Sequence, residues 1–201
     1  MKRIVLASSN KGKIAEFKAY LRGFEVLSYG EIIKPFEIEE YGNSFKENAI
    51  IKSRAVFDRL NDKNAIVLSD DSGISIPLLN GIPGIYSARF AGKEANAKKN
   101  LELLVQKLKE ANVERADAFY TAAIAISTEK GDFSVHGWMY GKAITDPKGD
   151  NGFGYDPMFI PQGFDKTLGE LEASVKENFS HRSRALKLAL ILLKTLTKDK
   201  R

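Results

Sequence analysis

The chain has 201 residues, 43% hydrophobic and 28% charged, a globular balance that argues against both disorder and a fibre. Its 31 basic and 26 acidic residues leave a net charge of +5, which admits a polyanionic ligand without selecting one, and the lack of cysteine removes disulfides, thiolate nucleophiles and cysteine metal sites. No apolar run approaches a membrane span and "MKRIVLASSNKGK" turns polar too soon for a secretory segment, so the expectation is one cytoplasmic folding unit over residues 1–201 with no membrane partner.

Residues 3–8, "RIVLAS", read as a buried strand, after which Ile14, Phe17 and Leu21 recur at helical spacing until Gly23. Between them lies "SSNKGK", residues 8–13. A loop feeding a helix N-terminus offers backbone N–H groups and a favourable dipole, and Lys13 adds charge, which suits a phosphate. It is not a Walker A loop, because Ala7 stands where that spacing needs glycine and Ile14 replaces the Ser or Thr. On spacing alone an ordinary capped connection explains it as well.

"SFKE" announces a second helix: Ser44 can cap it, Glu47 can reach back, and Phe45, Ala49, Val56 and Leu60 form an apolar stripe with Asn48 and Lys52 on its margin. The strand "AIVLS" then runs into "SDDSGI", residues 69–74. Asp, Ser and Gly are ordinary turn residues. If instead the strand continues, Asp70 and Asp71 point to opposite faces and only one looks into a given site. A Mg2+ ion takes one or two carboxylates and completes its shell with water and phosphate oxygens, and Glu40, in "IEEYGNSF", is a plausible second acid.

A Gly/Pro-rich passage at 80–92 precedes a third helix carrying Leu101, Leu104, Val105 and Leu108. "AFYTAAIAIS", the turn "TEKGD" and "FSVHGWMYGKA" resemble an antiparallel hairpin. The stretch 145–164 holds four glycines, three prolines and four aromatics, too long and aromatic for a simple connection. Within it "GDNGFGYDPMF" frees the backbone around Phe153, whose ring could stack on a base, with Tyr155 and Asp156 adding polar groups; the alternative is a glycine-rich turn with core aromatics. "KENFSHRSRAL" sets Lys176, His181 and Arg182 around the start of a last helix from about Ser180, where cations oppose the dipole unless an anion joins them. That helix would bury Leu188, Leu192 and Leu196, and "KDKR" reads as a solvated tail. His136 reads as structural; two histidines and no cysteine support neither a hydrolytic triad nor zinc. Alternating strands and helices with a hairpin indicate an α/β fold with a mixed sheet.

Taken together, "SSNKGK", "ENAIIKSRA", "SDDSGI" with "GIPGIYSARFAG", and "FGYDPMFIP" followed by "SHRSRAL" resemble the inosine triphosphate pyrophosphatase family in its bacterial type, from about residue 4 to 188. The resemblance implies an elongated mixed β-sheet with flanking helices, two lobes around a nucleotide cleft, and a homodimer. It implies Mg2+-dependent hydrolysis of non-standard purine nucleoside triphosphates, ITP, dITP and XTP, to the monophosphate and pyrophosphate. Ser8, Ser9, Asn10, Lys11, Gly12, Lys13 and Lys52 would hold the triphosphate; Glu40 and Asp71 would serve the metal, Asp71 being also the general base; Ser72 would touch the substrate. Phe153, Gly154, Tyr155 and Asp156, with Lys176, His181 and Arg182, would hold and read the base. The chain departs from eukaryotic members at Ala88 and Arg89, which follow "GIYS" without the lysine found there, and Phe179 precedes "SHR" where isoleucine is common. A nucleotide-binding or sensing protein without turnover is the alternative, and no nucleic-acid partner is expected despite a pI near 9.2.

Overall fold

The computed structural model describes residues 2–94 and 96–197. Its elements run β1 (Arg3–Leu6), α1 (Lys11–Tyr20), β2 (Glu25–Ser28), α2 (Phe45–Leu60), β3 (Val67–Ser75), α3 (Ala97–Glu110), β4 (Arg115–Thr128), β5 (Gly131–Ile144), β6 (Phe159–Pro161), α4 (Ala173–Phe179) and α5 (His181–Leu196). The strands form one six-stranded sheet in the order β2-β1-β3-β4-β5-β6. It is mixed, as expected for this α/β chain: β1 pairs in parallel with β2 and β3, while β5 and β6 are antiparallel. α1 supplies the crossover that a parallel β1–β2 pair requires. Because the chain then returns to place β3 on the other side of β1, the strand order reverses at β1/β3, the kind of point where open α/β sheets present loops to ligands.

The chain falls into two compact units, the first comprising Met1–Asp71, Ala122–Gly137 and Arg182–Arg201, the second Ser72–Thr121 and Trp138–His181. In the first, Ile4, Leu6, Phe17, Leu21, Leu68, Ile124 and Ile126 bury together with Ala185, Leu186, Ala189 and Leu193 of α5. That corrects the face expected for the last helix: Leu188 is exposed, about 100° round from the buried stripe, and Leu192 and Leu196 only flank it. The "KDKR" tail lies outside the described residues. α2 is capped as anticipated, Ser44 Oγ accepting from Glu47 N at 3.2 Å, although Glu47 reaches back to Asn43 N, at 2.6 Å, rather than to Ser44.

In the second unit, Ile74, Ile76, Leu104, Leu108, Tyr120, Met139, Tyr155, Met158 and Phe159 form the core. The 145–164 stretch is therefore more than a loop: it contributes β6 and places three side chains in that core. A short helix, α4, carries Lys176 in its last turn and ends at Ser180, so Lys176 does not stand at the start of α5. Among the described residues no helix is long and apolar enough to cross a membrane.

Candidate active site

The loop after β1 is built by its own side chains. Asn10 Oδ1 accepts from Lys13 N at 3.1 Å, capping α1, while Asn10 N donates to Ser8 Oγ at 3.2 Å and Ser28 Oγ donates to Ser8 O at 2.9 Å. Ser9, Asn10, Lys11 and Gly12 remain exposed around a helix start that has no acidic residue in its first turn. Dipole and amides therefore favour an anion there.

Parallel pairing of β1 and β3 brings the residues after β1 beside residues 70 and 71. The acidic pair is not a turn; β3 runs through it to Ser75, and its alternation separates the two carboxylates. Lys13 Nζ reaches Asp70 Oδ2 at 2.6 Å, and Arg182 lies between Asp70, with Nε 3.3 Å from Oδ1, and Glu16, with Nη1 2.7 Å from Oε2. All of Glu16, Arg182, Asp70 and Lys13 belong to the first unit, and Glu16 stands one turn after Lys13 on α1. Burial opposes the charge on Asp70, but Arg182 and Lys13 outweigh it and hold the carboxyl well below the usual carboxylate range. Burial likewise opposes the Arg182 charge, and Asp70 and Glu16 raise it regardless. These two donors of Arg182 are thus spent on carboxylates.

Asp71 faces Lys52. The Lys52 ammonium donates to Asp71 Oδ1 at 2.8 Å and to Glu40 Oε1 at 2.9 Å, drawing two carboxylates from different elements to one point. Burial would lower the Lys52 pKa, yet Asp71 and Glu40 carry it above its ordinary value. For Asp71 the balance is opposite: burial lifts the carboxyl above the ordinary aspartate range, Lys52 pulls it back, and Glu40 adds to the rise. Asp71 Oδ2 is buried with no hydrogen-bond partner among the described residues. Asn48, one turn before Lys52, accepts from Gly42 N at 2.9 Å through Oδ1 and so ties the loop bearing Glu40 to α2.

The second unit gathers the remaining candidates around Asp156. Its Oδ2 accepts from Lys176 Nζ at 2.5 Å and from Phe153 N at 2.9 Å, and the Lys176 ammonium lies 5.0 Å from the Phe153 ring centroid. Phe153 is 39% exposed and offers a ring face, whereas Tyr155 is 5% exposed and donates its hydroxyl to Ser87 O at 2.8 Å. Tyr155 therefore anchors the loop, its burial raising the phenol pKa. Gly154 adopts φ +65°, and Gly152 adopts φ +79° where a Cβ would come 2.0 Å from Asp156 Oδ2. His181 is buried and stacks on Tyr120, with centroids 4.6 Å apart. Ser72 follows Asp71 in β3, and Gly73 beside it must be bare: a Cβ there would meet Ser87 Oγ at 2.3 Å.

The Ham1 family matches residues 4–191. The chain belongs to the Ham1 family. It is 57% identical over 194 residues to a dITP/XTP pyrophosphatase of Nautilia profundicola, covering 96% of this chain and 98% of that protein. It is 52% identical to one of Campylobacter jejuni subsp. jejuni, covering 98% and 99%. Among solved structures it resembles the Ham1 protein of Staphylococcus aureus, with a TM-score of 0.86 and 38% identity over 98% of this chain and 100% of that one.

In this Ham1-family chain the acid pair fits a divalent cation by the chemistry of its donors. Two carboxylates already converge on a common positive charge, and one buried carboxylate oxygen has no hydrogen-bond partner among the described residues. A hard divalent ion held by such a pair would complete its shell with water and phosphate oxygens. Glu16 and Tyr120 escaped the sequence reading. Glu16 carries a usable signal, its three-residue spacing from Lys13; Tyr120 carries none, since a tyrosine in an apolar strand reads as core.

Proposed function

We propose that this chain hydrolyses ITP, dITP and XTP to the monophosphate and pyrophosphate with Mg2+, working in the cytoplasm as a homodimer and as one domain of two units. The observation that carries the reading is the Lys52 ammonium joining Glu40 to a buried Asp71 whose second oxygen has no partner among the described residues. Glu40 and Asp71 would hold the ion, which when bound neutralises phosphate charge. Burial raises the Asp71 pKa, which makes its carboxylate a stronger proton acceptor than an ordinary aspartate. As water adds to the α-phosphorus the bond to the β-phosphate breaks, the water proton passes to Asp71, and pyrophosphate leaves. The amides and hydroxyls of Ser8–Lys13, with the Lys13 and Lys52 ammoniums, bind the triphosphate and stabilise the charge it gains. Ser72, the next residue of β3, would touch the substrate.

Base selection falls to the second unit. Phe153 offers a ring for stacking, Gly154 frees the backbone beside it, and Tyr155 and Asp156 brace the loop. Lys176 and His181 donate to the 6-oxo group of hypoxanthine or xanthine. Adenine presents an amino group there and would leave those donors unpaired, a costly mismatch. Arg182, held by Asp70 and Glu16, serves by fixing Asp70 and through it Lys13. The test is a product assay: ITP with Mg2+ yields IMP and pyrophosphate in equal amounts, and IDP with orthophosphate would overturn the reaction type.

A further inference from the structure

Tyr120 is 6% exposed in β4 and has no chemistry of its own to offer a nucleotide, yet it touches two of the groups gathered around Asp156. Its ring lies parallel to the His181 imidazole, within 11° at 4.6 Å, and its hydroxyl stands 3.5 Å from Asp156 Oδ1. Phe159, fully buried, meets the ring edge-on at 4.9 Å and fixes it from another side. The other oxygen of Asp156 holds Lys176 and the Phe153 amide. One rigid aromatic plate thus backs both the imidazole and the carboxylate that orients the lysine.

We propose that Tyr120 is a positioning residue for base selection, its ring setting the plane of the His181 imidazole so that the donor is aimed before the nucleotide arrives. This rests on the base-reading role of the second unit. The stack, rather than the hydroxyl, is the working contact. A 3.5 Å oxygen pair is at the far limit of hydrogen bonding, whereas ring pairs in this geometry carry a measurable preference beyond the area they bury. An imidazole left to rotate would present its donor in only part of its orientations, and the loss would appear in binding of the base, remote from the phosphates.

Steady-state pyrophosphate release with ITP and with ATP, alongside thermal melting, separates the possibilities. Tyr120→Phe keeps the ring and retains the wild-type KM for ITP. Tyr120→Leu keeps apolar volume without the ring; it raises that KM about three- to tenfold, leaves kcat less affected, and narrows the ITP to ATP preference by the same factor. Should leucine fail to fold, Tyr120→Met reads the same quantities. A leucine or methionine variant with lowered melting temperature but unchanged KM and unchanged ITP to ATP preference overturns the proposal while leaving the pyrophosphatase reading intact. Wild-type protein that releases no pyrophosphate from ITP overturns that reading and Tyr120's role with it.

Discussion

Asp70 and Asp71 are adjacent in β3, yet each is ion-paired to a different lysine: Lys13 holds Asp70 at 2.6 Å and Lys52 holds Asp71 at 2.8 Å. The pleat sends neighbouring side chains to opposite faces, which removes most of the repulsion that two consecutive carboxylates would suffer. The consequence is a division of labour. Asp70, with Arg182 also on it, is a saturated structural anion, while Asp71 keeps an oxygen to spare.

Asp70→Asn should therefore lower stability. The folded-state pKa of Asp70 lies below its unfolded value, so its contribution is present above about pH 4 and is lost as pH falls through the folded value. Removing one partner of a buried ion pair costs roughly 3–5 kcal/mol. Urea denaturation at pH 7 should reveal a loss of that order, shrinking as pH drops below 4. A gap that stays constant with pH would mean the Asp70 charge is not its source.

The opposite sign applies to Asp71. Its pKa is raised by burial, so its basic form appears at higher pH than for an ordinary aspartate, and kcat/KM should show an acidic limb governed by it. Lys52 lowers that pKa. Lys52→Gln removes the opposing charge and should move the limb to higher pH, besides weakening triphosphate binding. A limb that stays put or moves down in a pH–rate series would reject Asp71 as the titrating base.

The elements that hold these groups were largely legible in the chain. A strand followed by a polar loop and an i, i+3, i+7 apolar series gave β1 and α1, and Ser44 marked the start of α2. What could not be read has a common physical character. The register of β1 against β3 decides that Lys13 meets Asp70, and no local pattern encodes it. Arg182 and Lys176 looked alike as cations near one helix start, but Ser180 breaks the helix between them and their partners come from 112 and 20 residues away. Leu188 fits the helical period yet lies outside the buried face because α5 carries apolar residues, Leu188 and Ile191, on its exposed side as well, which leaves the periodicity with two phases to choose from.

Gly152→Ala tests the second unit. The glycine sits at φ +79°, and an added Cβ would come 2.0 Å from Asp156 Oδ2, the oxygen that Lys176 and the Phe153 amide share. A non-glycine residue in that backbone region costs roughly 1–3 kcal/mol, and the carboxylate must swing away. KM for ITP should rise while metal dependence stays as in the wild type. Unaltered KM would show that Asp156 does not set the position of Lys176 and Phe153.

Asn48 bears on the other end of the chemistry. Its Oδ1 accepts from Gly42 N, two residues after Glu40, and the loop is packed so closely that a Cβ on Gly42 would lie 2.7 Å from that oxygen. Its Nδ2 is buried without a hydrogen-bond partner among the described residues. Asn48→Ala thus removes one satisfied bond, worth about 1 kcal/mol, together with one unsatisfied donor costing about 1–3 kcal/mol. The relief of the unsatisfied donor opposes the lost bond and the Gly42 N–H left without its acceptor, so the melting temperature should fall by less than the lost contacts alone would cause. The Glu40 loop, however, loses its tether. In a Mg2+ titration at fixed ITP the half-saturating metal concentration should rise severalfold, with kcat at saturating metal within about twofold of the wild type, because Asp71 and Lys52 keep their geometry. An unchanged metal requirement would mean that Gly42 and Glu40 hold their places without Asn48.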